Sequence, residues 1–231
     1  MTDITDQLAE IERRINFALE RGDRVGERVK IVAVSKHQPA AAVLRAAAAG
    51  LTDFGENYLQ EGIAKIEAVA SAALCWHFIG QIQSNKTRPI AEHFSWVETL
   101  DRARIADRLN AQRPVALPPL NVLIQLNLDA EPQKGGVARN EILPLARHIA
   151  DLPQLSLRGV MGMPPADFGP AENRASFLAI AAEAERLREQ GFAIDTISMG
   201  MSGDFELAIE CGATTIRLGT VLFGRRPSAK A

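Results

Sequence analysis

The segment Lys30-Ile31-Val32-Ala33-Val34-Ser35 is a short, β-branched and almost wholly apolar run. Runs of this kind are typical of parallel strands that are buried on both faces. An alanine-rich helix is predicted directly after it, over residues 39–50, because Pro39 can begin a helix and Gly50 can end one. Before it, apolar residues recur at steps of three and four and predict an amphipathic helix that runs to about Arg21.

The same alternation of strand and helix continues to the end of the chain. Further strands are predicted at residues 52–54, 76–79, 95–98, 121–127, 157–161, 196–199 and 214–218, and further helices at residues 58–70, 85–93, 102–112, 140–151, 171–190 and 204–211. Strict alternation implies right-handed crossovers and a parallel sheet. Eight strands in this length fit one (β/α)8 TIM barrel, with the extra N-terminal helix available for the eighth outer position.

An open, doubly wound sheet is the alternative, because periodicity alone does not show whether a sheet closes. The glycine-rich fingerprint of a dinucleotide-binding fold does not follow the first strand. No linker, repeat or low-complexity segment divides the 231 residues. We therefore predict a single α/β domain over residues 1–231.

Composition excludes several classes of function. The chain has 26 basic and 28 acidic residues, so bulk charge does not favour nucleic acid as a partner. The two cysteines and four histidines show no metal-ligand spacing, so no metal is expected. The N-terminus lacks the pattern of a signal peptide, and no apolar stretch approaches the roughly 20 residues of a membrane helix. We predict a cytoplasmic protein without a membrane partner.

In a TIM barrel, chemistry is carried by the loops at the carboxyl ends of the strands, and phosphate often binds after strands seven and eight. Lys36 directly follows the first strand. A lysine near apolar walls has a lowered pKa, and its amine can attack a carbonyl to form a Schiff base. The plain alternative is a solvated loop lysine.

Two glycine-containing turns follow the last two strands, with the sequences Gly200-Met201-Ser202 and Gly219-Thr220. Backbone amides and a hydroxyl at such turns can bind an anion, although each turn alone can be only a helix cap. Arg217 interrupts the apolar eighth strand. A buried guanidinium needs a partner, which is either a ligand or a carboxylate across the barrel such as Glu56 or Glu98.

Taken together, several segments resemble the pyridoxal-phosphate homeostasis proteins, the YggS/PROSC family. They span nearly the whole chain in the right order: residues 33–36, 54–58, 76–80, 83–86, 159–164, 200–202, 217–220 and 223–224. The departures from the family pattern are His37, Gln38 and Gly203.

The resemblance implies a single barrel, related to the N-terminal domain of alanine racemase, that binds pyridoxal 5′-phosphate (PLP). It further implies that Lys36 forms the internal aldimine and that Arg217 faces the pyridine nitrogen. The phosphate would be held by Met201, Ser202, Gly219 and Thr220, and Asn57, which could equally cap a helix, would line the surroundings of the ring.

An arginine beside the pyridine nitrogen disfavours the protonated ring that PLP enzymes use as an electron sink. Racemisation also needs a group on each face of the substrate, and Tyr58 is the only tyrosine. We therefore expect a protein that stores, buffers or delivers PLP to apoenzymes with little or no turnover, and the family resemblance implies a monomer. The alternatives are a racemase or another Schiff-base enzyme using Lys36, and a PLP-sensing module whose loops at residues 129–139 and 164–170 change order.

Overall fold

A computed structural model describes residues 4–127, 135–165 and 167–224 of the chain. Eight parallel strands pair in chain order and close into a barrel, with β8 beside β1. The strands are β1 Lys30–Val34, β2 Asp53–Glu56, β3 Cys75–Phe78, β4 Trp96–Leu100, β5 Leu120–Gln125, β6 Leu155–Met161, β7 Thr196–Ser198 and β8 Thr215–Leu218. The predicted TIM barrel is confirmed, and the open sheet is excluded.

Helices cover the outside of the barrel. They are α1 Ile4–Arg21, α2 Ala40–Ala48, α3 Leu59–Val69, α4 Thr87–His93, α5 Ala103–Gln112, α6 Arg139–Ala150, α7 Pro170–Glu189, α8 Phe205–Glu210 and α9 Thr220–Phe223. The leading helix α1 packs against α8, α9 and α2. It therefore fills the eighth outer position, as the alternation predicts. None of the helices in the described ranges is long and apolar enough to span a bilayer.

The structure differs from the sequence prediction at some ends of elements. β5 ends at Gln125 and not at residue 127, and a short 3-10 helix, Ser84–Lys86, precedes α4. The helix α9 is missed by the sequence pattern because four residues are too few to show a helical period. The loop predicted to respond to PLP at residues 129–139 lies partly outside the described residues, as does residue 166 of the second loop.

The outer faces of the strands and the inner faces of the helices form the main apolar core. A small second cluster of Trp96, Leu123 and Met161 is separate from it. Polar side chains of β4 and β7 also meet: Ser198 Oγ donates to Glu98 Oε2 at 2.6 Å. Because β4 and β7 are not neighbours in the barrel, this bond crosses the barrel interior. The inside of the barrel is thus partly polar.

Candidate ligand site at the carboxyl ends of the strands

The closure of the barrel brings the turn after β8 against the end of β1. Val32 pairs with Arg217 and Ala33 with Leu218 in the register of these two strands. A Cβ placed on Gly219 would lie 3.4 Å from the carbonyl oxygen of Val34. The half-buried Lys36 follows β1 at this same end of the barrel. The structure therefore brings the end of β1, with Lys36 after it, beside the turn at Gly219, although the two are far apart in the chain.

The turns after β7 and β8 also contact each other. The backbone N–H of Arg217 donates to Gly200 O at 3.0 Å, and the N–H of Val221 donates to Ser202 Oγ at 3.4 Å. Gly200 has a φ of +90°, and a Cβ there would lie 2.6 Å from the Ala208 side chain. Only glycine fits at this position. The Ser202 hydroxyl and the turn at Gly219 and Thr220 thus lie side by side.

The backbone amide of Met201 already has an acceptor within the turn. It donates to Asp204 Oδ1 at 2.6 Å, while the Met201 side chain is exposed. Burial raises the pKa of Asp204, although the Met201 amide and the charge of Arg217 oppose the shift. The sequence prediction missed Asp204, because its signal, an aspartate three residues after a turn residue, is equally typical of an ordinary helix start.

Arg217 is buried, and its guanidinium contacts groups of β7, of β4 and of the residue that follows β6. It donates to Ser198 Oγ at 2.6 Å and to Gly162 O at 3.3 Å, and it lies 3.9 Å from Glu98 Oε2. The pKa of Arg217 is lowered because the guanidinium is buried, and the charges of Glu98 and Asp204 offset only part of this effect. Of the two carboxylates that the sequence offers as partners, Glu98 is the correct one. Glu56 pairs elsewhere.

The polar contacts continue from Glu98 to the amino ends of the strands. His77 Nδ1 lies 2.7 Å from Glu98 Oε1, and Nε2 lies 3.0 Å from Asp53 Oδ1, which also accepts from Lys30 at 2.9 Å. Burial alone would lower the pKa of His77, but hydrogen bonds to Asp53, Cys75 and Glu98 raise it to about 10. Sequence reasoning missed this network; its signal was a histidine between Trp76 and Phe78 in a buried strand.

Among the described residues, the ligand atoms of Asp53, Cys75 and His77 lie within 4.8 Å of one another. Such a trio can hold a transition metal. Both ring nitrogens of His77 are, however, already engaged by carboxylates. A metal would have to displace the bond between His77 and Asp53, so we propose no metal here, and the expectation from sequence that none binds stays a prediction.

Asn57 follows β2 at the same end of the barrel. Its side-chain Oδ1 is buried and has no hydrogen-bond partner in the structure. A Cβ on Gly80 would lie 2.0 Å from the Asn57 carbonyl oxygen, so the loop after β3 passes close to it. Asn57 lines a surface cavity of about 340 Å³ together with Tyr58, Gln83 and Lys86. No cap hydrogen bond from a side chain begins α3, so Asn57 is not a helix cap.

A second lysine, Lys65, contacts the residue that precedes Lys36 in the chain. Lys65 of α3 is buried and donates to Ser35 O at 2.5 Å, to Glu56 Oε1 at 2.7 Å and to Glu61 Oε1 at 2.7 Å. We call Ser35, Glu56, Glu61 and Lys65 the Lys65 cluster. Sequence reasoning missed it, although the i, i+4 spacing of Glu61 and Lys65 on a predicted helix is a signal for an ion pair.

The arrangement combines an amine, two hydroxyls and backbone amides at one end of a barrel. An amine can bond covalently to a carbonyl carbon, and hydroxyls and amides can bind an anion. Comparison with known proteins agrees with this chemistry. The family model "Alanine racemase, N-terminal domain" matches residues 7–227. A pyridoxal phosphate homeostasis protein of Pseudomonas aeruginosa is 50% identical over 226 residues, which cover 98% of this chain and 97% of the relative.

This chain belongs to the pyridoxal phosphate homeostasis protein family. The family member of Escherichia coli K12 is 45% identical over 233 residues, and each chain is covered completely. Among solved structures, PipY of Synechococcus elongatus, 35% identical, covers 96% of this chain with a TM-score of 0.87 without PLP and 0.83 with PLP bound. All of the PipY chain is covered.

Alanine racemases share the barrel of the homeostasis protein family but are larger. The enzyme of Corynebacterium glutamicum is 16% identical with a TM-score of 0.68, and the match covers 98% of this chain but 62% of the racemase. At this identity the likeness shows the fold alone.

Proposed function

We propose that this chain, acting as one domain over residues 1–231, binds PLP and stores, buffers or delivers it, with little or no catalytic turnover. The observation that carries the proposal is the close match to PipY, which is solved with PLP bound and is covered over its full length. When bound, PLP supplies an aldehyde that reacts with amines and a ring that withdraws electrons.

The residues present fit a phosphorylated aldehyde. Lys36 carries the amine that would hold the aldehyde carbon. The hydroxyls of Ser202 and Thr220, with the turns at Met201 and Gly219, would hold the phosphate, because charged oxygens form strong bonds to such donors. Asn57 follows β2 at the same end of the barrel, and its buried Oδ1, which has no hydrogen-bond partner among the described residues, would be an acceptor near the ring.

Arg217 favours a carrier over a racemase. Its guanidinium is fixed by Ser198 and Gly162 at the carboxyl end of β8. If it faces the pyridine nitrogen, its positive charge disfavours protonation of the ring, so the ring is a poorer electron sink. The only tyrosine, Tyr58, is exposed and lies against His37 at a ring distance of 5.1 Å. Tyr58 is therefore a surface residue, which supports a carrier because racemisation needs an acid or base on each face of the substrate.

Titration of cofactor-free protein with PLP, monitored by visible absorbance, tests the proposal. A mixture that shows only the spectrum of free PLP contradicts it.

We expect Ser202→Ala to weaken PLP binding by about tenfold, because a hydrogen bond to a charged oxygen contributes roughly 1.5–3 kcal/mol. Ser95→Ala, just before β4 at the opposite end of the barrel, is the matched control and should bind as wild type.

We further propose that the protein is a cytoplasmic monomer whose partners are PLP-dependent apoenzymes. Sedimentation is expected to give one species near the chain mass of 25.1 kDa, with or without PLP. Loaded protein should reactivate a PLP-dependent apoenzyme even when a scavenger removes free PLP. Reactivation that disappears with the scavenger would show that the cofactor passes through solution. In the sedimentation experiment, a species of twice the chain mass would contradict the monomer.

A further inference from the structure

The two peptide groups on either side of the Lys36 Cα are held by side chains of α3. The carbonyl before it, Ser35 O, accepts from Lys65 Nζ at 2.5 Å. The amide after it, His37 N–H, donates to Glu61 Oε1 at 2.5 Å. Lys65 and Glu61 are themselves paired at 2.7 Å. The ion pair of Glu61 and Lys65 in α3 therefore hydrogen-bonds to the backbone on both sides of Lys36.

The ion pair is part of the buried Lys65 cluster, whose contacts are unfavourable to break. The side chain of Lys65 is 7% exposed and that of Glu56 is 0% exposed. Ser35 Oγ donates to the same Glu56 oxygen at 2.5 Å, which ties the β1 end to β2. A buried ammonium is stable only while its acceptors stay in place, since an unpaired charge in the protein interior is strongly unfavourable. The cluster therefore fixes its own geometry and that of the backbone it holds.

The backbone directly after Lys36 also needs support. His37 has a φ of +63°, a left-handed conformation that is unfavourable for a residue other than glycine. Such conformations persist where the surrounding structure holds them, and the bond from His37 N–H to Glu61 is such a restraint. Helix α3 comes close enough because residue 62 is glycine: a Cβ there would lie 2.9 Å from the Phe94 ring and 3.2 Å from Glu56 Cβ.

We propose that Lys65 and Glu61 are positioning residues for Lys36: they hold its backbone so that its amine meets the aldehyde of the ligand in one orientation. The inference rests on the proposed function. It assigns the buried ion pair a role in the speed of cofactor capture, and not only in the stability of the barrel. A positioning error of about 1 Å can cost roughly a hundredfold in rate.

The test is the rate at which the bound-cofactor absorbance appears after cofactor-free protein is mixed with PLP. Lys65→Met and Glu61→Ala should each react about tenfold to a hundredfold more slowly than wild type, and Lys65→Arg should recover part of the loss. Glu61 is partly exposed, with 26% of its side chain accessible, so Glu61→Ala keeps the barrel folded if Lys65→Met does not. Circular dichroism and thermal melting verify folding.

Lys30→Met is the matched control, because Lys30 is an ion-paired lysine at the other end of β1. It should react at the wild-type rate. Folded Glu61→Ala that reacts as fast as wild type, or Lys30→Met that is slowed equally, overturns the positioning role. A wild-type protein that gives no bound-cofactor absorbance at all is a different outcome, because it overturns the proposed function itself.

Discussion

Lys36→Ala is expected to reduce covalent capture of PLP to background, whereas the purified variant still folds. Lys36 is half-buried at the carboxyl end of β1, and it follows the strand that faces the Gly219 turn. Alanine removes the only amine that this position offers to the aldehyde. Borohydride converts the bond between a lysine and an aldehyde into a stable amine, so reduction of loaded protein followed by peptide mapping measures the effect at one residue.

Two other lysines make this experiment decisive. Lys65 lies behind the end of β1, and Lys86 lines the cavity beside Asn57 at the same end of the barrel. Lys86→Ala is the matched control, and it should keep the label on Lys36. A label that maps to Lys65 or Lys86 in wild type contradicts the assignment of Lys36.

The same variant separates a carrier from an enzyme. A racemase would steadily remove the optical activity of an L-amino acid, and Lys36→Ala would abolish that loss. A carrier loaded with PLP leaves the optical activity unchanged over many equivalents of amino acid. Turnover that depends on Lys36 would therefore favour the enzyme, even if the labelling result is positive.

The fold could be predicted from sequence because each strand carries its own local signal. The run at β1 and the helix after it fix one strand–helix unit, and repetition of the unit leaves few topologies. The ends of strands then locate Lys36, Asn57 and the two glycine turns, since all eight carboxyl ends lie at one face. What this reasoning could not give is which side chains meet inside the barrel.

Contacts across the barrel depend on register between distant strands. Ser198 and Glu98 are 100 residues apart, and no local pattern relates them. The same holds for Lys65, whose acceptors include the backbone oxygen of Ser35, directly after β1, which carries no sequence signal. The sequence correctly offered Glu98 as a partner of Arg217, but it offered Glu56 equally, and only the three-dimensional arrangement distinguishes them.

His77→Ala is expected to lower the free energy of unfolding by about 3–5 kcal/mol, which is the usual cost of removing one partner of a buried ion pair. His77 joins the carboxylates of Asp53 and Glu98, and its ring stacks on Trp96 at 5.2 Å. The variant leaves both carboxylates without this partner in the barrel interior. Thermal melting should show a fall of roughly 10 °C, since 1 kcal/mol shifts Tm by roughly 2–4 °C in a domain of this size.

The surface pair of His148 and Asp107 provides the matched control. These side chains are 2.6 Å apart but 39% and 53% exposed, so His148→Ala should cost less than about 1 kcal/mol. Equal losses of unfolding free energy in the two variants would show that the buried His77 network stabilises the fold no more than a surface ion pair does.

The pH dependence distinguishes a charged His77 from a neutral one. Burial lowers its pKa, but hydrogen bonds to Asp53, Cys75 and Glu98 raise it to about 10 in the folded protein, against about 6.5 in the unfolded chain. Folding therefore binds a proton at His77 over this range, and stability must fall as pH rises. The contribution is complete below about pH 6.5 and is lost as pH approaches about 10. The difference in unfolding free energy between wild type and His77→Ala should shrink over the same range, and a difference that stays constant would mean that His77 is neutral in the barrel.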